Sequence, residues 1–204
     1  MPSRYISRDG GILADRFTDG PYIFQNVHTL GGAARHTAAH TALLRAAAKS
    51  LFGFDPEITA DELRRRIARL TEACRMPSRV SVRAVVRLYP TGRIEIACDE
   101  PSIYAGYVLR SLRPDAICLR MAPPLPSLPT SAAEHTRLLA DTMAHTRGAR
   151  TAILTDSDGT VISESAQPIF IVNGYTVSTP AVSAAEESVE RRLVRESLRQ
   201  TDLT

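Results

Sequence analysis

The sequence predicts an α+β protein with two domains, and three features of the chain indicate this fold class. Apolar stretches bounded by turn residues predict strands in both halves of the chain, and apolar residues at helical spacing predict helices beside them. Between the halves, residues 122–129 contain four prolines, which fix φ and donate no hydrogen bonds. We therefore expect an N-terminal α/β domain at 1–121, an extended crossover at 122–130 and a C-terminal domain at 131–204.

The N-terminal domain is expected to be a sheet with two helices. Its predicted elements are strands at 12–17 and 22–30, helices at 37–52 and from 59 onward, and strands at 79–89, 92–98, 104–110 and 116–121. The first helix is rich in alanine and is followed by Gly53, a common C-cap residue. Thr59 and Glu62 form a capping box that begins the second helix, whose apolar residues recur at helical spacing.

Two helices are expected in the C-terminal domain. The first begins at a second capping box, formed by Ser131 and Glu134, and runs to Arg147 with Gly148 closing it. The other covers residues 184–200 and is charged. Its apolar stripe consists of Val189, Leu193 and Leu198.

Residues 151–180 indicate an antiparallel meander. Three apolar runs are separated by two turns, the first at the Asp-Ser-Asp-Gly sequence of residues 156–159. The second turn is Asn173-Gly174, a strong signature of a two-residue hairpin loop.

Composition argues against several classes of partner. The sequence pI is about 9.0, but the net charge is only +3 and the arginines are scattered, so nucleic-acid binding is not expected. No run of 18 apolar residues and no basic-then-apolar leader occurs, so neither a membrane span nor a secretion signal is expected. Three cysteines without CxxC spacing (Cys74, Cys98 and Cys118) favour a cytoplasmic protein with reduced thiols.

Two groups of ionisable side chains do not indicate a metal or catalytic centre. His36 and His40 have a spacing that could place two imidazoles on one helix face. Thr37 stands where the zinc-protease pattern has glutamate and no third ligand is evident, so we expect a polar helix face or cap and no metal. The second group consists of Glu134, His135, Asp141 and His145. Their spacing is that of an ordinary helix surface and does not indicate a nucleophile with its base.

The motifs occur in the order found in one enzyme family. They are Asp19-Gly20, Phe24, Gly32 and His40 in the first half, then Gly148, Asp156 to Val161, Glu164, Ile169-Phe170 and Thr179-Pro180, with Pro168 in place of an asparagine. The chain resembles the class IV aminotransferases, pyridoxal-phosphate enzymes that include branched-chain and D-amino-acid aminotransferases and aminodeoxychorismate lyase. The resemblance implies a small α/β N-terminal domain, a truncated C-terminal domain that contains the meander, and pairing as a homodimer or with a related chain.

The resemblance also places unexpected residues at positions that the family uses for its chemistry. Thr130 stands where the family has the lysine that forms an imine with pyridoxal phosphate, and threonine has no amine. Leu43 stands where the family has the arginine that binds the cofactor phosphate, and leucine offers no donor. Lys49 is the only lysine of the chain, and we expect it to face water. Arginine cannot replace lysine in imine chemistry because its guanidinium stays protonated.

Three other residues could still face a ligand. By resemblance, Glu164 is the carboxylate that keeps the cofactor's pyridine nitrogen protonated, so it is the candidate cofactor-binding residue. Arg83 and Arg87 lie on one face of a predicted strand, where they could meet a substrate carboxylate or pair with acidic neighbours. The resemblance would bring them, with Thr130, to a ligand crevice. Residues 183–187 replace the family's phosphate-holding turn, and their two glutamates would repel a phosphate.

Two hypotheses of function follow. In the first, the chain is a non-catalytic or repurposed class IV scaffold that binds a small metabolite or a partner and holds no covalently bound pyridoxal phosphate. In the second, it is an active aminotransferase or aminodeoxychorismate lyase with an atypical cofactor site. Loss of the imine lysine removes both covalent preorganisation and the proton shuttle, which favours the first hypothesis.

Overall fold

The computed structural model describes residues 5–14, 16–77, 81–101, 104–105, 108–109, 115–162, 167–182 and 187–200. The chain divides into two compact units, Met1–Ser111 and Leu112–Thr204. Each unit contains both strands and helices, in agreement with the predicted α+β fold class. Among the described residues, no helix combines the length and the apolar character needed to span a bilayer.

The first unit is an antiparallel sheet with two helices. Its elements are β1 (Ile6–Arg8), β2 (Gly11–Leu13), β3 (Ile23–Leu30), β4 (Ala33–Ala34), α1 (Thr37–Phe52), α2 (Ala60–Ala73), β5 (Val82–Leu88), β6 (Ile94–Pro101), β7 (Tyr104–Ala105) and β8 (Val108–Leu109). The main sheet has the strand order β2-β1-β6-β5-β3-β4, and its pairings are antiparallel. Strands β7 and β8 form a separate antiparallel pair.

The sequence correctly predicts the end of α1 and the start of α2. Helix α1 ends at Gly53, which has a φ of 76° and donates its N–H to the carbonyl of Ala48 at 3.1 Å. Helix α2 begins after Thr59, whose hydroxyl accepts the N–H of Glu62 at 3.1 Å. The apolar face of α2 is buried in the core of the unit through Leu63, Ile67 and Leu70.

The two faces of the sheet differ in character because side chains alternate along each strand. Val86 is buried on one face, opposite Gln25 of β3. The Oε1 of Gln25 lies 2.9 Å from Nδ1 of His40 on α1, so this face packs against the helices. Arg83 and Arg87 have the opposite parity on β5 and project from the other face.

The first strands differ from the prediction of a single strand at 12–17. The chain forms a hairpin of β1 and β2 around Asp9-Gly10, whose φ angles are 47° and 89°. Residues 16 and 17 belong to no strand. The physical reason lies at Thr18, whose N–H donates to the carboxylate of Glu95 at 2.7 Å rather than to a neighbouring strand.

The described residues of the second unit form two helices and two small sheets. Its elements are β9 (Ala116–Arg120), α3 (Ser131–Thr146), β10 (Thr151–Thr155), β11 (Ile171–Asn173), β12 (Thr176–Ser178) and α4 (Val189–Leu198). Strands β9 and β10 pair in parallel, and α3 connects back to β10 across a small core. That core consists of Leu119, Ala140, Ala144, Ala149, Ala152 and Leu154. The division of the chain after Ser111 therefore differs from the predicted boundary after residue 121, because β9 pairs with β10.

Only part of the predicted antiparallel meander is found among the described residues, because β10 pairs in parallel with β9 and the hairpin of β11 and β12 forms a separate sheet. The first turn lies where predicted, since Thr155 bridges antiparallel to Val161. In the second turn Asn173 pairs with Thr176, so the two loop residues are Gly174 and Tyr175 rather than Asn173 and Gly174. Gly174 has a φ of 60°, which a glycine adopts at little cost at the first position of a tight hairpin loop.

Helix α4 is shorter than predicted at its N-terminus. It begins after Ser188, whose hydroxyl accepts the N–H of Arg191 at 3.2 Å. Val189 is buried, whereas Leu193 and Leu198 are only half-buried. The predicted residues 184–186 lie outside the described part of the chain.

Candidate functional site

Thr130 caps helix α3. Its backbone is extended, with φ −106° and ψ 160°, and its Oγ1 accepts the N–H of Ala133 at 3.2 Å. Its carbonyl accepts the N–H of Glu134 at 3.0 Å, which is the first bond of the helix. The prediction that Ser131 is the cap is therefore wrong, and Ser131 is the first helical residue. The hydroxyl is preferred at this position because it satisfies an N–H that has no partner within the helix.

Leu43 and Lys49 both lie on α1 in the first unit. Leu43 is half-buried, and its aliphatic side chain has no group that could donate to a phosphate. Lys49 is exposed in the last turn of the helix, as predicted. A lysine near a helix C-terminus interacts favourably with the exposed carbonyls of that end. The position of Lys49 is thus explained by ordinary helix chemistry.

The two histidines of α1 have separate structural positions. His36 is exposed at the N-cap position with a φ of 52° and forms no side-chain cap bond. His40 is buried beside Gln25. Among the described residues, no three or more His, Cys, Asp or Glu side chains are grouped to hold a metal ion. The side chains of Asp141 and His145 also act locally, since Asp141 accepts the N–H of Ala152 at 3.1 Å and Nε2 of His145 lies 2.7 Å from the carbonyl oxygen of Arg150.

Arg87 packs against aromatic rings. Its guanidinium carbon lies 3.9 Å from the ring centroid of Phe17 and 4.1 Å from that of Tyr22. Such stacking over ring faces is an attractive cation–π arrangement. Neither of the two roles considered from the sequence included this contact, although Phe17 and Tyr22 lie within one short segment. The guanidinium of Arg87 is therefore partly covered by two aromatic rings of the first unit.

Glu95 is the buried charged centre of the same sheet face. It lies opposite Arg87 in the strand register, and its carboxylate accepts from Nε of Arg8 at 2.6 Å. It also accepts from the N–H and the hydroxyl of Thr18, at 2.7 and 2.6 Å, and from the hydroxyl of Tyr89 at 3.0 Å. Burial alone raises the pKa of Glu95, but these hydrogen bonds together outweigh it and place the pKa below its ordinary value. Sequence reasoning missed this residue because Arg8 and Thr18, two of its partners, lie far away along the chain.

Tyr89 belongs to the Glu95 cluster, whereas Arg83 lies further along β5. Burial, followed by the hydrogen bond to Glu95, raises the pKa of Tyr89 to about 12. Arg83 lies opposite His28 in the register of β3 and β5. Burial, followed by the charge of Arg83, lowers the pKa of His28. His28 is thus neutral at pH 7, with its Nδ1 3.5 Å from the hydroxyl of Ser81.

Two further predicted ligand positions lie in the second unit, at Glu164 and at residues 183–187, and the structure describes only part of them. Glu164 lies outside the described residues, so its predicted role stays a prediction. The adjoining turn is ordered by Asp156, whose Oδ1 accepts the N–H groups of Asp158 and Thr160, each at 2.9 Å. Glu187 lies 2.6 Å from the guanidinium of Arg195, which offsets the charge that we expected to repel a phosphate.

Comparison with known proteins agrees with this architecture. The sequence profile of the family described as amino-transferase class IV matches residues 26–204. The comparison with curated proteins gives no match. Because the profile match covers most of the chain, the chain belongs to the class IV aminotransferase family.

Solved structures of class IV enzymes share the fold. An aminotransferase from Brucella abortus bound to pyridoxal phosphate superposes with a TM-score of 0.74 at 14% identity, over 98% of this chain and 79% of that chain. The branched-chain amino acid aminotransferase of Escherichia coli superposes with a TM-score of 0.74 at 15% identity, over 97% of this chain and 75% of that chain. The branched-chain aminotransferase of the archaeon Thermoproteus uzoniensis, solved with norvaline, superposes with a TM-score of 0.72 at 19% identity, over 98% of this chain and 76% of that chain. At these identities the likeness concerns the fold.

Proposed function

We propose that this chain is a class IV aminotransferase scaffold that holds no covalently bound pyridoxal phosphate and functions by binding a small metabolite or a protein partner. The observation that carries the proposal is the hydrogen bond from Ala133 to Thr130, which uses the hydroxyl at the family's lysine position to begin α3. A hydroxyl engaged as a helix cap performs a structural task that the absent amine would not.

The assignment of Thr130 to the lysine position rests on the order of the surrounding elements. In the family resemblance, the lysine immediately precedes the helix that ends at Gly148, and Asp156 then begins the turn of the meander. Helix α3 ends before Gly148 and is followed by β10 and by the Asp156 turn. These landmarks support Thr130 as the corresponding residue.

The residues present do not fit covalently held pyridoxal phosphate. When bound, this cofactor supplies an electron sink for charge that develops at a substrate carbon. An imine needs a lysine, and Lys49 lies on the exposed side of α1. Leu43 offers the phosphate no donor. The second candidate, an aminotransferase or lyase with an atypical cofactor site, is favoured by the fold shared with the pyridoxal-phosphate-bound neighbour.

We further propose that the chain pairs with a second copy or with a related chain in the cytoplasm. Support for pairing comes from the hairpin of β11 and β12, where the side chains of Ile171, Val172 and Tyr175 are 51%, 64% and 77% exposed. Neighbouring exposed apolar side chains of this kind mark surfaces that partners cover. The free thiols of Cys74, Cys98 and Cys118 fit a reducing compartment.

The test is an absorbance spectrum after incubation with pyridoxal phosphate and exhaustive dialysis. We expect no retained band at roughly 410–430 nm, the region of a protein-bound imine of this cofactor. Lys49→Met should give the same spectrum as the wild-type chain. A retained band that Lys49→Met abolishes would establish the second candidate. An intact class IV aminotransferase carried through the same dialysis serves as the positive control.

A further inference from the structure

A groove of about 600 Å³ lies within the first unit, between α2 and the hairpin of β3 and β4. We call it the α2 groove. The residues that matter for its chemistry are Arg64, Ala68, Glu72, Arg75, Met76 and Val82. Its volume lies within the range of small-molecule sites, about 300–1,000 Å³. The glycines at the hairpin tip leave it open, since a Cβ at Gly31 or Gly32 would meet no atom within 4 Å.

Arg75 adopts a backbone conformation that glycine usually provides. Helix α2 ends with the N–H of Arg75 donating to the carbonyl of Glu72 and the N–H of Met76 donating to that of Thr71, each at 2.9 Å. These two bonds form a Schellman motif, in which the residue at the Arg75 position is left-handed. Arg75 has a φ of 52°, which costs a side-chain-bearing residue free energy that glycine avoids. A strained residue of this kind points to a role for its side chain.

The charges of the groove favour an anion at Arg75. The guanidinium of Arg64 is already engaged by Asp61 at 2.6 Å and by Thr37 at 3.2 Å. Within the described part of the chain, the guanidinium of Arg75 has no hydrogen-bond or ion-pair partner. Glu72 is the single carboxylate among the described lining residues, against the two arginines Arg64 and Arg75.

The walls of the groove favour an anion that carries an aliphatic chain. Ala33, Ala68, Met76 and Val82 line it, and none of the described lining residues is aromatic. Flexible methionine and small alkyl side chains fit an aliphatic chain without demanding a particular ring geometry. A planar carboxylate also matches the two parallel donors of a guanidinium.

From these features we propose that the α2 groove binds a small aliphatic monocarboxylate, with its carboxylate on Arg75 and its alkyl chain against Ala68, Met76 and Val82. This site belongs to the first unit alone and is independent of the positions that the family uses for its cofactor. Because Arg75 is exposed, its ion pair is partly screened by water, and binding at roughly millimolar concentration is expected.

The proposal is tested by titrating hexanoate into the full chain and following backbone amide chemical shifts by NMR. We expect saturable shifts at Gly31, Gly32 and Thr71. The neutral analogue 1-hexanol and the cation hexylamine, at the same concentrations, should shift these amides less. Arg75→Gly keeps the backbone conformation and removes the guanidinium, so hexanoate should bind about fivefold more weakly. Arg75→Lys should retain most of the affinity.

Two controls make the result decisive. Arg69→Ala removes an exposed arginine from α2 that does not line the groove, and it should leave the titration unchanged. Unchanged amide dispersion in Arg75→Gly shows that the fold is intact. Equal affinity of Arg75→Gly and the wild-type chain, equal shifts with 1-hexanol, or shifts only at amides outside the groove would each overturn the proposal.

Discussion

The hydroxyl of Thr130 accepts the backbone N–H of Ala133 at 3.2 Å, and this bond forms the N-terminal cap of α3. The residue that the family resemblance places at the imine position is thus a working part of a helix terminus. The helix it begins packs Ala140 and Ala144 into the core of the second unit. A structural role for this side chain explains why threonine is suited to the position without reference to catalysis.

Thr130→Ala should lower the free energy of unfolding by about 1 kcal/mol, because the N–H of Ala133 loses its acceptor. Thr130→Ser keeps the hydroxyl and should stay within a few tenths of a kcal/mol of the wild-type value. Urea denaturation followed by circular dichroism measures both. Thr130→Lys should resemble the alanine variant. An alanine variant as stable as the serine variant would remove the capping argument.

Glu95→Gln should destabilise the first unit by about 3 kcal/mol at pH 7, because the half-buried side chain of Arg8 loses the charge of its buried partner. Folding lowers the pKa of Glu95, so the ionised carboxylate adds to the free energy of unfolding. This contribution is complete above the ordinary pKa of a glutamate and is lost as the pH falls through the folded-state pKa. The difference between the two proteins should therefore narrow on acidification. Urea midpoints measured from pH 7 down to pH 3 check this, and a constant difference would contradict it.

Arg75→Gly should raise the free energy of unfolding by about 1 kcal/mol, because glycine adopts the left-handed conformation of the Schellman motif without a Cβ penalty. Arg75→Ala provides the matched control, since alanine retains that penalty and should give no gain. Urea denaturation of the wild-type chain and of both variants measures these differences in the free energy of unfolding. If the alanine and glycine variants have the same stability, the strain at Arg75 is not significant.

Val172→Asp should convert a dimer into a monomer if the hairpin of β11 and β12 is the pairing surface, because a buried unpaired carboxylate is strongly unfavourable in an interface. Leu138→Asp, on α3, is the control for an apolar side chain of similar exposure, at 65% against 64%. Size-exclusion chromatography with light scattering gives the mass. A monomeric wild-type chain would exclude pairing with a second copy. A dimer that survives Val172→Asp but not Leu138→Asp would place the pairing surface away from the hairpin of β11 and β12.

Local chemistry made the helices predictable. Thr59 with Glu62 fixes the start of α2, and Gly53 fixes the end of α1, because capping involves residues only a few positions apart. The same rules misplaced the cap of α3 by one residue, since Thr130 and Ser131 are adjacent and both are good caps.

Long-range contacts were not predictable from the sequence alone. The strand expected at 12–17 fails because Glu95, distant in the chain, binds the amide of Thr18. The pairing of β9 with β10 was not predictable because β10 follows β9 only after a whole helix. Arg75 was missed as a helix terminus because glycine or asparagine normally marks that position. The family resemblance drew attention to Thr130 and Leu43, whereas the contact of Arg87 with Phe17 is visible only in the structure.

The central claim is that no amine of this chain forms an imine with pyridoxal phosphate, and borohydride trapping with intact-mass analysis tests it most directly. The wild-type chain, incubated with the cofactor, reduced and desalted, should show the unmodified mass at stoichiometric cofactor. Peptide mapping should give the same result as for Lys49→Met. A stoichiometric pyridoxyl adduct on Lys49 in the wild-type chain, absent from Lys49→Met, would contradict the account.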